Sequence, residues 1–193
     1  RSKFKQVDRE RSLVALMTTN LLKRLESSVH SFRLTLEKLK LNHAITLSKI
    51  EAFDKTGVDS GFDDNSAAYE NLEIEEDDLS EEPEGSIGGK VKIKLSDMDL
   101  ISWEKDLRAD LFFIDELLLE MHRITPDKDA KLQHLIAHIK QKLDNPINAN
   151  NKKVLVFTAF ADTADYLYDN LALDILKSHG LHSAKVTGGD NPK

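Results

Sequence analysis

The first quarter of the chain carries apolar residues at helical spacing. An α-helix has 3.6 residues per turn, so residues three and four apart share one face. This spacing predicts a long amphipathic helix, or two in series, from Arg11 to about Phe53, with Thr56 and Gly57 as its end. The same steps also fit the seam of a coiled coil. The apolar positions are Val14, Met17, Leu21, Leu25, Val29, Phe32, Leu36, Leu39, Leu47, Ile50 and Phe53.

Two more helices are predicted further along the chain. One begins near Ser96, a suitable N-cap with acidic residues in the first turn, where the helix dipole favours anions. The next opens at Thr125 and Pro126, as N-cap and first helical residue, and ends at Asn145. A second heptad-like seam predicts an antiparallel pair with the first helix. This seam contains Leu100, Trp103, Leu107, Leu111, Ile114, Leu118 and Met121.

The last part of the chain changes character. Residues 154–157 are a continuous apolar run of strand-forming residues, and a second short strand is predicted over residues 183–186. Between them a helix is predicted from about Ala161 to His179, with Gly180 as its stop. The order strand, helix, strand predicts a parallel β-α-β unit with raw sheet edges, so we expect the natural protein to continue past Lys193. The predicted fold class is therefore mainly α with a small α/β end.

Charge and composition divide the chain further. Twelve acidic residues and no Lys or Arg lie between residues 59 and 84, and removing them from the net charge of −7 leaves +5. A polyanionic partner therefore stays compatible with the rest of the chain. The expected organisation is a long helical segment over 1–56, an acidic flexible linker over 57–95, a helical segment over 96–150 and a small α/β region over 151–193.

Several protein classes are disfavoured by composition. No apolar run approaches the roughly 20 residues that span a bilayer, and no N-terminal export signal is recognisable. The chain has no cysteine, which excludes disulfides and thiolate metal sites and fits a reducing compartment. The sequence thus predicts a cytoplasmic protein without a membrane partner. His134 and His138 are four apart, a spacing that can bind zinc, but no third ligand is evident, so surface histidines are the favoured interpretation.

Three segments carry a family resemblance. Residues 153–160, followed by Thr163, Tyr166 and Leu167 and then by residues 186–189, resemble the opening of the second RecA-like lobe of Swi/Snf-like superfamily-two helicases. The run from Asp129 to Ile139, with Lys131, Leu132 and Leu135, resembles the helix that precedes this lobe. Residues 21–28, continuing to Phe32 and Arg33, resemble a helix between the lobes of bacterial members. The resemblance covers most of the chain outside the acidic linker.

The resemblance implies a segment of an ATP-dependent helicase or translocase. It places residues near nucleic acid at two loops that follow the predicted strands and on the first helix, where a hydroxyl, a glycine amide or a cation could hold a phosphate. The implied nucleic-acid-binding residues are Thr158, Ala159, Thr187, Gly188, Gly189, Lys23, Arg24 and Arg33. The alternatives are a helix cap for Thr158, a plain turn for the glycines, and a solvated face for the cations, which would pair with Glu26 and Glu37.

Elements needed for ATP hydrolysis are missing from the sequence. It contains neither a GxxxxGK[ST] loop nor a DExx-type element after a hydrophobic strand. We therefore expect ATP and Mg²⁺ to act in the parent protein, and no cofactor or ATPase activity in this chain alone. The expected partners are an N-terminal RecA-like lobe and nucleic acid, with DNA favoured over RNA, and a homo-oligomer is also compatible. The competing functions are a non-enzymatic helical interaction module and an independent α/β domain.

Overall fold

The computed structural model describes residues 6–58, 94–149 and 151–188, and it describes their side chains except those of residues 6–10 and 13. These residues form five α-helices and one short 3-10 helix, Leu95–Asp97. They divide into two compact units. The first unit comprises residues 6–34, 120–149 and 151–188, and the second unit comprises residues 35–58 and 94–119. The helices are α1 (Gln6–Ser27), α2 (Val29–Thr56), α3 (Leu100–Arg123), α4 (Ala130–Asp144) and α5 (Ala161–His179).

The first long helical pattern is divided at Ser28. The Ser28 side chain is buried, and its hydroxyl accepts a hydrogen bond from the Ser31 amide at 3.0 Å, which makes Ser28 the N-cap of α2. The Ser28 amide still donates to the Arg24 carbonyl at 3.0 Å, so α1 ends where α2 begins. Of the two arrangements that the periodicity allowed, the structure has two helices in series.

The second unit is held by an aliphatic cluster between α2, α3 and the 3-10 helix. Ile50 and Leu95 are both 0% exposed, and they pack with Leu47 and Leu107. Each side chain of this kind stabilises the fold by roughly 1.5–3 kcal/mol when it is fully buried. Leu95 is the first residue of the 3-10 helix, so this short helix contributes a buried side chain to the cluster. The predicted seams of α2 and α3 therefore meet at buried positions.

The start of α3 differs from the sequence-based expectation. The helix begins at Leu100, and Asp99 caps it, because the Asp99 carboxylate accepts a hydrogen bond from the Ser102 amide at 3.2 Å. Hydrogen bonds from Ser102 also lower the pKa of Asp99. Ser96, which was predicted as the cap, lies in the 3-10 helix instead. Asp99 and not Ser96 therefore caps α3, because Ser96 lies in the 3-10 helix next to buried Leu95.

Ion pairs give the direction of α2 relative to α3 within the second unit. Lys40 pairs with Asp115 at 2.6 Å, and Arg108 pairs with Glu51 at 3.1 Å. A higher residue number on α2 therefore faces a lower number on α3, so these parts of the helices are antiparallel. All four side chains are about half exposed, and such pairs add little stability.

In the first unit α4 packs against α5. Ile139 and Leu143 of α4 contact Leu171 and Ile175 of α5, and Val154 is packed partly against this cluster. The predicted bounds of α5, Ala161 to His179, are confirmed. Gly180 ends the helix with a φ of 65° and donates its amide to the Leu176 carbonyl, the left-handed conformation that glycine adopts most readily.

The predicted start of α4 is wrong by several residues. Asp129, not Thr125, is the N-cap, and its carboxylate accepts the Leu132 amide at 3.0 Å. Residues 125–129 form a turn instead, in which the Lys128 and Asp129 amides both donate to the Thr125 carbonyl. A carboxylate is a stronger acceptor than a hydroxyl near the positive end of a helix dipole, so the later residue becomes the cap.

The predicted β-α-β unit is not present. No residue that the structure describes is in a β-strand, so the small α/β end and the RecA-like unit of the expected fold class are wrong, and the described chain is helical. Leu155 is 82% exposed, Phe157 90% and Val186 84%. A strand needs a hydrogen-bonding partner and a face to bury, and the apolar run at 154–157 has neither here. Only Val154 finds partial cover, against the α4–α5 cluster.

Most of the predicted acidic linker, residues 59–93, lies outside the described residues, as does Gly189. Within the described ranges, no helix is both long enough and apolar enough to cross a bilayer.

Candidate functional site

Four hydroxyl side chains meet where α1 ends and α5 begins, and we call this group the hydroxyl junction: Ser27, Ser28, Thr158 and Thr163. The Ser27 hydroxyl lies 2.8 Å from that of Thr163 and 3.3 Å from that of Thr158. The Ser28 hydroxyl lies 3.1 Å from that of Thr163, which is 3% exposed. A hydroxyl can both donate and accept, so neighbouring members satisfy one another in a buried place.

A buried ion pair lies next to the hydroxyl junction. Arg24 is 4% exposed, and its Nη1 donates to the Asp162 carboxylate at 2.7 Å. The guanidinium carbon also lies 4.6 Å from the ring centroid of Phe160, within cation–π range. Asp162 belongs to the first turn of α5, where a negative charge is favoured by the helix dipole. Arg24 therefore fastens the end of α1 to the start of α5.

Lys131 brings the start of α4 to the same place. Its Nζ donates to the backbone carbonyl of Ser27 at 3.0 Å and also to that of Glu26. These carbonyls belong to the last turn of α1, where the helix leaves acceptors without partners of its own. Lys131 thus caps α1 from another helix, and it places a positive charge at the negative end of the dipole.

Tyr166 joins α4 to α5 on another side of this region. Its hydroxyl donates to the Asp129 carboxylate at 3.1 Å, and its ring stacks on His30 with centroids 4.9 Å apart. Burial, and then the nearby Asp129 charge, raise the pKa of Tyr166 to about 12. Asp129 is 5% exposed and caps α4 with the same carboxylate. One side chain therefore starts a helix and orients a tyrosine.

The structure brings two of the predicted nucleic-acid-binding residues to the same region: Thr158 is a member of the hydroxyl junction, and Arg24 forms the ion pair beside it. Thr158 also accepts the Phe160 amide through its hydroxyl at 3.4 Å, but Phe160 is the N-cap of α5, so Thr158 is not the helix cap of the alternative interpretation. Ala159 is exposed beside it. Arg24 is buried and paired with Asp162, so it does not lie on the solvated face that the alternative described.

The other predicted residues are spread over the first unit. Lys23 is exposed on α1, and Arg33 lies on α2, where its Nη2 is 3.1 Å from His30 Nδ1. Thr187 and Gly188 follow α5, and the hydrogen bonds of the hydroxyl junction do not include them. The nucleic-acid role of all these residues stays a prediction.

Several members of this site were not proposed as functional residues from the sequence. Ser27, Ser28 and Thr163 were quoted for the resemblance, but a pattern of polar positions on a helix indicates solvent exposure rather than a buried cluster. Asp162 was treated only as part of a helix. The one sequence signal for this site is that three separate segments resemble the same family, because segments of one functional region are expected to lie close together.

The His134–His138 pair is the candidate zinc site from the sequence. The rings of His134 and His138 have centroids 6.4 Å apart. In the part of the chain that the structure describes, no group of three or more His, Asp or Glu side chains could hold a metal ion. A zinc site at this pair therefore gains no support.

Comparisons of the chain with protein-family models, with curated proteins and with solved structures find no match in any of the three.

Proposed function

We propose that this chain contributes a helical segment to an ATP-driven Swi/Snf-like motor that acts on nucleic acid, with DNA favoured over RNA. One observation carries the proposal. The three segments that resemble this family in sequence meet in space: Lys131 contacts Ser27 at 3.0 Å, and Ser27 contacts Thr163 at 2.8 Å. These pairs are separated by 104 and 136 residues in the sequence, so the meeting is not a result of chain proximity.

The contacts of this region are those expected of a rigid segment of a motor. Arg24 and Lys131 connect the end of α1 to the starts of α5 and α4, and the connections are short and charge-assisted. A motor must transmit displacement from one element to the next, and buried hydrogen-bonded networks of this kind are stiff. In this proposal the three segments move as one body, with the hydroxyl junction joining α1 to the start of α5 and Lys131 joining α4 to α1.

The start of α5 is also suited to a phosphate. Backbone amides at a helix N-terminus favour an anion, and the Thr158 hydroxyl lies just before that terminus. The Asp162 carboxylate would oppose a phosphate there, but Arg24 neutralises it. Thr158 and exposed Ala159 then offer a hydroxyl and an open approach without reading the base sequence.

ATP and Mg²⁺ belong, in this proposal, to a part of the motor outside this sequence. The chain supplies no phosphate-binding loop of its own, so it hydrolyses no ATP alone, with or without nucleic acid. Magnesium-dependent turnover by the purified chain would contradict this. The proposal places the protein in the cytoplasm, which the absence of cysteine supports.

Binding of fluorescently labelled single-stranded DNA, duplex DNA and RNA by the whole chain tests the proposal. We expect weak binding that falls as salt rises, because phosphate contacts release counterions. Thr158→Val should weaken binding several-fold. The matched control is Thr19→Val on α1, since the Thr19 hydroxyl bonds only to its own helix in the described contacts. Absence of binding at low salt, or equal weakening by both variants, would refute the proposal.

A helical interaction module is the second candidate function. Phe112 and Phe113 are each 61% exposed on α3 and lie edge to face. Large exposed aromatic side chains are enriched where proteins associate. If a second copy binds there, sedimentation velocity will show concentration-dependent association. Phe112→Ser should abolish this association and leave DNA binding unchanged.

A further inference from the structure

A small pocket in the first unit lies beside Tyr166, between the start of α2 and the turn that follows α3. Its volume is about 110 Å³. We call it the histidine–arginine pocket. Its polar lining consists of His30, Arg33, His122, Thr125 and Tyr166, and the remaining lining is aliphatic. These residues were not assigned a common role by the sequence, apart from the general cationic role of Arg33.

The lining contains hydrogen-bond donors and a permanent positive charge. A guanidinium is always protonated and can only donate. Because Arg33 Nη2 is 3.1 Å from His30 Nδ1, that nitrogen must accept, and His30 therefore carries its ring proton on Nε2. The stacking of His30 on Tyr166, with planes 6° apart, fixes the orientation of the ring. His122, which is exposed, adds a second imidazole to the lining.

No acidic side chain lines the pocket. Two carboxylates are close in the sequence to Thr125 and outside the lining, and each accepts a hydrogen bond from a residue of the lining. Asp129 accepts from Tyr166 and from the Leu132 amide. Asp127 accepts from Thr125, which lowers the pKa of Asp127. The charge inside the lining is therefore positive, and it comes from Arg33.

From this lining we infer that the histidine–arginine pocket binds a phosphate group. The volume of the pocket fits a phosphate group. A cavity that holds one water has roughly 10–15 Å³, so a pocket of about 110 Å³ has room for a group of several heavy atoms. Chemistry supports the charge, because imidazole and guanidinium donors form charge-assisted hydrogen bonds with phosphate oxygens. This inference does not depend on the proposed motor function, since the phosphate can belong to a free anion, a nucleotide or a nucleic-acid backbone.

Titration of the whole chain with orthophosphate, followed by the imidazole signals in NMR, tests the inference. We expect saturable shifts at His30 and His122, with sodium chloride of equal ionic strength producing none. Arg33→Gln should weaken orthophosphate binding about tenfold or more, because a charge-assisted contact is lost. The control is Arg108→Gln, an exposed arginine of the second unit, which should change binding by less than about twofold.

Two further arms complete the experiment. If circular dichroism shows that Arg33→Gln unfolds the chain, His122→Ala, at an exposed residue of the lining, replaces it, and about a threefold weakening is then expected. Competition by a nucleoside monophosphate or by a short single-stranded DNA tells a free phosphate from a nucleic-acid one. Shifts that do not saturate, or equal weakening by the arginine variant and its control, would refute the inference that the pocket binds phosphate. If the whole chain binds orthophosphate but does not bind DNA, the motor proposal is refuted and the phosphate inference is not.

Discussion

The two compact units are stabilised by different chemistry. In the second unit the buried side chains of the described residues are aliphatic apart from Thr35, with Ile50 and Leu95 at 0% exposure, and the ion pairs are at the surface. In the first unit an aliphatic cluster between α4 and α5 is joined by buried polar side chains. These polar residues are Arg24, Ser28, Ser31, Asp129 and Thr163.

This difference has a physical consequence. Apolar contacts are non-directional, and a cluster of them loses stability in proportion to the area or volume removed. Buried hydrogen bonds are directional, and a group that loses its partner costs the whole desolvation penalty. The second unit should therefore respond to changes of size, whereas the first unit should also respond to changes that keep size and remove one polar atom.

The largest effect is expected from a cavity in the second unit. Ile50→Ala should lower the free energy of unfolding by about 3–4 kcal/mol, within the range for buried Ile or Leu to Ala. Urea denaturation measures this change. The matched control is Ile45→Ala on the same helix, where the side chain is 47% exposed and a loss below about 1 kcal/mol is expected. Equal losses for the two variants would show that the cluster around Ile50 is not the core.

The next largest effect comes from the buried ion pair. Arg24→Met keeps most of the volume but leaves the Asp162 carboxylate without its cation, and we expect a loss of about 2–3 kcal/mol. The value is below the usual range for buried pairs because the Asp162 side chain is 24% exposed and can be partly hydrated. Arg24→Met combined with Asp162→Leu should recover much of the loss. A double variant as unstable as the sum of both single variants would contradict the pairing.

A smaller effect is expected at the cap of α4. Asp129→Ala removes the acceptor for the Leu132 amide, and such caps contribute about 1 kcal/mol. It also removes the acceptor for the Tyr166 hydroxyl. Thermal unfolding measures the loss, with Asp106→Ala on α3 as the exposed control. Thr125→Ala should have less effect than Asp129→Ala, and the reverse order would favour the cap position that the sequence suggested.

The sequence predicted the helices far better than their contacts. The bounds of α5 followed from its apolar period and from Gly180, because both signals are local. The starts of α3 and α4 were misplaced because several polar residues could cap each helix, and the choice depends on what is buried nearby, such as Leu95. The strand prediction for residues 154–157 was wrong because an apolar run predicts burial but does not identify the neighbouring strand or helix that would bury it.

The candidate site was predictable only in part. Thr158 and Arg24 were singled out from a resemblance, and the structure places Thr158 in the hydroxyl junction and Arg24 in the ion pair beside it. The partners that define their chemistry there, Ser27, Thr163 and Asp162, come from distant positions. A hydroxyl or carboxylate on an amphipathic helix carries no local sign that it will meet a residue more than a hundred positions away. Buried polar networks are therefore the least predictable level of this fold.

The smallest expected effect concerns the titration of Tyr166. Its pKa is raised from 10.0 to about 12, first by burial and then by Asp129, so the folded state favours the neutral phenol. The resulting stability is fully present below pH 10 and is lost as pH rises towards about 12. Because the ring is only partly buried and water screens its charge, we expect a contribution under about 1 kcal/mol.

Absorbance of the phenolate measures this titration directly. Tyr166→Phe keeps the ring that stacks on His30 but should remove the latest-titrating signal, whereas the control Tyr168→Phe, at an exposed position of the same helix, should leave it. Asp129→Asn should lower the pKa of Tyr166 only part of the way to 10.0, because burial is the larger cause. A full return to 10.0 would mean that the carboxylate dominates, and the first unit would then depend on its charges more than on its packing.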